Sequence, residues 1–137
     1  MPVPLEKARV GDPVVDKTFP AITRAKLALY AGASGDHNPI HIDSDFAKRA
    51  GFPDVFSHGM YVMGLLGQSL TDAAPPKNLR AFSARFVAIT ELGAAIRCEG
   101  QVAELFEVDG ERRVRLTLSA KDEKGETKLA GEAVVAL

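Results

Sequence analysis

Between Ser34 and His41 the chain reads SGDHNPIH. An acid, two imidazoles, an amide and a proline crowd one short polar segment. A carboxylate and an imidazole on one rigid turn can grip a water molecule between them. The carboxylate takes a proton, and the imidazole holds the water or passes a proton on. Such work needs fixed geometry. Pro39 stiffens the turn, and the Asn38 amide can tie it to neighbouring backbone. Asp36 and His41 form a better pair than Asp36 and His37, whose adjacent side chains diverge on an extended turn. Two other readings stand beside this one. In the first, Asp36 and Asn38 bond local backbone and the histidines are incidental surface residues. In the second, His37 and His41 ligate a metal. Their four-residue spacing shares a face only in a helix, Pro39 opposes a helix here, and local sequence supplies no third strong ligand.

A second stretch bears on the same chemistry. Ser57-His58-Gly59 leads into a long apolar segment. The first N–H groups of a helix lack intrahelical acceptors and point toward negative charge. Gly59 exposes its N–H with no side chain in the way, so it is a candidate donor to an oxyanion such as the enolate of a thioester carbonyl. Gly59 reads equally as a tight turn into the helix.

The elements that must position these groups follow from pattern. Residues 12–19 read as a short first strand. Thr23 suits the N-cap of a helix over 22–35, with Leu27, Tyr30 and Ala31 at helical spacing and Asn38-Pro39 barring its continuation. The motif therefore lies on a turn beyond a helix. Ser44 can cap a short second helix closed by Gly51. In residues 59–74, apolar side chains cover nearly every face, which predicts a buried helix. Gly64 and Gly67 cost helix propensity, about 1 kcal/mol each against Ala, and suggest close approach of another backbone. After Pro75-Pro76 come four strand-like stretches, 79–89, 94–108, 112–122 and 127–137. Val114, Leu116, Leu118 and Ala120 alternate strictly with polar residues. Asp109-Gly110 and Lys124-Gly125 mark hairpin turns. One buried helix followed by consecutive antiparallel strands predicts an α+β domain with a curved sheet on the helix.

Composition bounds the rest. The 137 residues are 46% hydrophobic with a formal net charge of -1. This size suits a single domain over 1–137. Balanced charge without a basic stripe argues against nucleic acid or an anionic membrane as partner. Cys98 is the only cysteine, so no intrachain disulfide forms, as expected in a reducing cytoplasm. The N-terminus shows no apolar signal core and no run is long enough to span a bilayer.

Residues 30–47, YAGASGDHNPIHIDSDFA, resemble the signature of the MaoC-like dehydratases, the (R)-specific enoyl-CoA hydratases. The core of that signature, G-D-x-N-P-[ILV]-H, falls here on Gly35, Asp36, Asn38, Pro39, Ile40 and His41, followed by the small Ala47. SHGM at 57–60 and GEAVV at 131–135 extend the resemblance over nearly the whole chain. The chain is also similar to dehydratase subunits of bacterial type II fatty-acid elongation. The resemblance implies a hot-dog fold, an antiparallel sheet wrapped around a long buried central helix. It implies a dimer binding acyl thioesters, on CoA or acyl-carrier protein, near the subunit interface. It implies reversible syn addition of water to trans-2-enoyl thioesters, giving (R)-3-hydroxyacyl thioesters. The catalytic aspartate and histidine carry over onto Asp36 and His41, the thioester-carbonyl donor onto the Gly59 amide. Asn38 positions the loop, and neither metal nor cofactor is called for.

His37 sits at the variable position and receives no role. His58 is assigned as a structural hydrogen-bonding residue. Ala33, where the family has a larger aliphatic residue or glycine, suggests a packing change. Gly67 stands where some members carry a serine. The run Glu111-Arg112-Arg113 reads as a solvated hairpin, and Lys77, Arg80 or Arg85 could meet substrate phosphates. Two alternatives remain: a subunit of an obligate heteromer with another hot-dog subunit, and a hot-dog thioesterase. A thioesterase would release free thiol; a hydratase would not.

Overall fold

Five antiparallel strands and three α-helices make up the chain, and the computed structural model describes all 137 residues. In chain order they are β1 (Pro13–Thr18), α1 (Arg24–Ser34), α2 (Ser44–Arg49), α3 (Gly59–Ala73), β2 (Leu79–Phe86), β3 (Arg97–Val108), β4 (Glu111–Lys121) and β5 (Thr127–Ala136). The strands form one sheet in the order β1-β3-β4-β5-β2.

The β3–β5 meander follows from local chemistry. Val108 pairs with Glu111 across Asp109-Gly110, and both turn residues have positive φ, 50° and 80°. That backbone matches the right-handed twist of the flanking strands. The alternation in β4 is realised: Val114, Leu116, Leu118 and Ala120 are all buried. They face the same core as Val62, Leu65, Leu66 and Leu70 of α3, which lies against the sheet. Thr23 caps α1 by accepting from the Lys26 N–H at 3.2 Å.

Several local expectations are corrected. The N-cap of α2 is Asp43, which accepts from the Phe46 N–H at 3.1 Å. Ser44 is the first residue of that helix and donates its hydroxyl to Asp54 at 2.7 Å. Asp54 also takes the Val55 N–H and pairs with Arg24. The Ser44 hydroxyl, then the Val55 N–H and Arg24, bring its pKa down to about 2. Helix α3 is buried on one side only: Met60 is 55% exposed, and Gly64 and Gln68 are exposed too. Neither Gly64 nor Gly67 meets another backbone; a Cβ at Gly67 would approach only the Phe82 ring, at 3.3 Å. The close backbone approach occurs at Gly131 of β5, where a Cβ would lie 2.4 Å from the Ser83 carbonyl oxygen. Ala33 is exposed, so its small size changes no core packing. Glu111 is no free hairpin charge. It accepts from Arg80 on β2 and from Arg113, which together lower its pKa to about 2. Arg80 is thereby committed within the protein.

Candidate active site

The turn carrying Asp36 is built almost wholly from its own residues. Gly35 ends α1 in the left-handed conformation, φ 80°, its N–H bonded to the Ala31 carbonyl. A side chain would be strained at that φ, which is why glycine precedes the acid. The Asp36 carboxylate accepts from the Asn38 N–H at 3.2 Å, and the Asn38 side-chain oxygen accepts from the Ile40 N–H at 3.1 Å. Asn38 thus caps a single 3-10 turn, Pro39–His41, with proline in its first position. Two nested side-chain turns and one proline set the backbone leading from Asp36 to His41.

These two residues meet different environments. Asp36 is exposed, whereas His41 is only 9% exposed. The Phe56 carbonyl lies 2.7 Å from His41 Nδ1. A carbonyl only accepts, so Nδ1 carries the proton, and Nε2 of the neutral ring is left as an acceptor. The Phe56 ring packs edge-on against His41, centroids 5.2 Å apart. On its other side His41 stacks on His58 at 3.9 Å, with 28° between the ring planes. Asp36, His41 and His58 each bring a polar atom within 4.8 Å of the others. His37 is exposed and points into none of this.

Gly59 is the first residue of α3, directly after His58. Its N–H therefore has no intrahelical acceptor. A Cβ on Gly59 would lie 2.8 Å from the Phe86 ring, so nothing larger than hydrogen fits unless Phe86 moves. His41, Gly59, Phe56, Phe86, Ile89 and Leu129 line a cleft of ≈ 330 Å³. His41 and Gly59 thus border one mostly apolar space, as a site for an acyl group requires, while Asp36 is not among its lining residues. Wider depressions of ≈ 450 Å³ lie along β1. The charged side chains there form ion pairs, among them Arg97 with Asp16 and Lys17 with Asp72, and no imidazole lines either depression.

Two further contributors join the site, one read from sequence as a structural hydrogen-bonding residue and one that sequence reasoning missed. His58 supplies the third polar group that local sequence lacked. Burial, reinforced by neighbouring His41, pushes its pKa below the ordinary histidine value. Its position immediately before Gly59 was the available signal. The second is Lys128, 2% exposed on β5. Its ammonium donates to the Ile89 carbonyl at 2.9 Å and pairs with Glu126 and Asp122. Its own carbonyl accepts from the Val87 N–H at 2.8 Å. It so fastens the 86–90 segment that walls the cleft. No sequence signal marks it, because a lysine in an edge-rich sheet reads as solvated.

Comparison with known proteins agrees with this geometry. Residues 6–124 match the family described as MaoC like domain. The 3-hydroxybutyryl-CoA dehydratase of Methylorubrum extorquens is 32% identical over 116 residues, covering 83% of this chain and 72% of that protein. The unliganded R-hydratase PhaJ1 of Pseudomonas aeruginosa superposes with a TM-score of 0.85 at 28% identity, over 98% of this chain and 86% of that one. The (R)-hydratase of A. caviae gives 0.83 at 27%, over 96% and 98%. With the fold, a match over most of its length and this degree of identity, the chain belongs to the MaoC-like family of hot-dog proteins.

Proposed function

We infer that this protein is a hydro-lyase that adds water reversibly to trans-2-enoyl thioesters to give (R)-3-hydroxyacyl thioesters. The observation that carries the reading is one cleft lined by both His41 and Gly59, with an Asp36 carboxylate oxygen within 4.8 Å of a His41 ring nitrogen. A water molecule has two protons to donate. A carboxylate oxygen and a bare imidazole nitrogen are two acceptors, and a water bonded to both spans roughly 4.5 Å between them. Both protons are then engaged, and the oxygen lone pairs are free to attack C3 of the enoyl group.

As the C3–O bond forms, one water proton passes to the Asp36–His41 pair. The π electrons move toward the thioester carbonyl, whose oxygen becomes an enolate held by the Gly59 N–H. The pair then returns one proton to C2. Delivery of oxygen and proton from one side of the cleft makes the addition syn. The reverse sequence dehydrates the 3-hydroxyacyl thioester. Asn38 and Pro39 serve by holding the turn.

The thioester is carried by CoA or an acyl-carrier protein, as the name of the Methylorubrum relative supports for CoA. We propose a homodimer as the working assembly. Met60, Phe86, Val87 and Ile89 are exposed apolar residues around the cleft, which a second hot-dog subunit would cover.

The test is loss of the conjugated enoyl-thioester absorbance on mixing the protein with a short trans-2-enoyl-CoA, with a thiol reagent present. Rapid loss without thiol release is expected. Thiol release would favour thioester hydrolysis instead, and an inert, folded protein with both short and long enoyl-CoA would overturn the reading.

A further inference from the structure

We propose that His58 is a positioning residue that holds Asp36 and His41 in register with the Gly59 N–H. This rests on the hydration reading above and deepens it. The local turn bonds run only between residues 34 and 40, so they shape the turn without tying it to α3. His58 makes that tie. Its Nε2 lies 3.2 Å from the Asp36 carbonyl oxygen, 22 residues away in sequence. Its ring stacks on His41, and its own backbone leads into Gly59. One residue therefore touches the acid's backbone, the imidazole's face and the start of the helix that offers the N–H.

The hydrogen-bond inventory of His58 argues against a merely space-filling ring. A carbonyl only accepts, so Nε2 carries the proton and donates. Nδ1 is buried and has no partner. Leaving a buried polar atom unpaired is costly, and an apolar ring of the same size would avoid that cost. The residue is 1% exposed, so it does not touch substrate. The groups facing it are Tyr30 from α1, and Asp36 and His41 from the turn; Tyr61 of α3 packs edge-on against Tyr30. Burial and the adjacent His41 disfavour a charged ring, while the Asp36 carbonyl and carboxylate oppose them. The neutral Nε2–H form is the one that keeps the bond to Asp36 and sets no positive charge against the stacked His41 ring.

Nitrogen-15 NMR of histidine-labelled wild-type protein, with steady-state kinetics of two variants, tests this. The resonances of His58 should report a neutral Nε2–H ring that takes up a proton only below the ordinary histidine value. His58→Phe keeps a stacking ring but loses the donor; kcat should fall about tenfold or more with KM within about twofold. His58→Gln keeps an N–H at a similar reach and should recover kcat to within about threefold of wild type. A cationic or Nδ1–H His58 would overturn the proposal. So would an unchanged kcat in His58→Phe, a loss carried by KM, or a Gln variant no better than Phe. Should His58→Phe not fold, the tautomer and the Gln variant decide. Should the wild type hydrate no enoyl thioester, the hydration reading falls, and the tautomer still decides whether His58 ties Asp36 to α3.

Discussion

Two polar clusters border the same cleft and are built on opposite terms. Around Lys128 every charge is matched: the ammonium meets Asp122, Glu126 and the Ile89 carbonyl, and Asp122 also accepts the Lys124 and Glu126 N–H groups. Around Asp36 and His41 the bonding is left incomplete. His41 Nε2, His58 Nδ1 and the Gly59 N–H have no acceptor or donor within the chain that the fold provides for them. A buried polar group left unpaired is expensive, so it persists where something outside the chain completes it or where it poises a neighbour. The satisfied cluster holds a wall in place; the unsatisfied one is where the chemistry is proposed.

Substitutions should separate the two by what they damage. The largest effect is expected from Asp36→Asn and His41→Ala. Each should lower kcat by roughly a hundredfold or more while leaving the thermal midpoint nearly unchanged for Asp36→Asn, since that side chain is exposed. Progress curves with enoyl-CoA and a melting scan check both halves. A variant that lost stability instead would erase the contrast.

Lys128→Met should do the reverse. Removing one partner of a buried ion pair costs about 3–5 kcal/mol, reduced here to about 2 kcal/mol because Glu126 is largely in solvent. Urea unfolding measures it. At saturating substrate the folded fraction should keep its kcat, with any kinetic penalty in KM through the loosened 86–90 wall.

Gly59→Ala forces Phe86 aside. Phe86 is 55% exposed and can swing, so the fold should survive. The displaced ring intrudes on the thioester, and kcat/KM should fall about tenfold, less than outright removal of an oxyanion donor costs. An unchanged value would show that the displaced Phe86 ring does not reach the bound thioester.

The smallest effect sharpens the comparison through pH. Burial would raise the Asp122 pKa, but the Glu126 and Lys124 N–H groups and Lys128 outweigh it and lower it. A depressed carboxylate contributes stability above its unfolded pKa, near 3.9, and loses it as pH falls through the folded value. Lys128 is the converse. Glu126 and Asp122 raise its pKa against the effect of burial, so its contribution holds below about pH 10.4 and fades as pH rises through the folded value. Asp122→Asn should flatten the acid limb of a stability–pH curve below about pH 4 by about 1 kcal/mol or less, while the activity profile keeps its shape.

What was legible beforehand tracks the range of the interactions. The Asp36–His41 turn, the Thr23 cap and the Asp109-Gly110 hairpin all depend on residues within four positions of each other. Their signals survive without a fold. The choice between Asp43 and Ser44 as cap of α2 did not, because Asp54, ten residues on from Ser44, claims the serine hydroxyl. The one-sided burial of α3 was likewise hidden: periodicity counts apolar faces but does not say which of them the sheet reaches.

The amino-acid sequence by itself thus determined the reactive turn, the helix that follows it and the alternating meander, since Asx turns, proline, glycine and two-residue periodicity act through neighbouring atoms. Only the tertiary structure decided that β2 pairs with β5 at the sheet edge, that His58 lies on His41, and that Lys128 is buried against Ile89. Those contacts join residues 17 to 56 positions apart, where chain connectivity imposes little and only the packing of the finished core selects a partner.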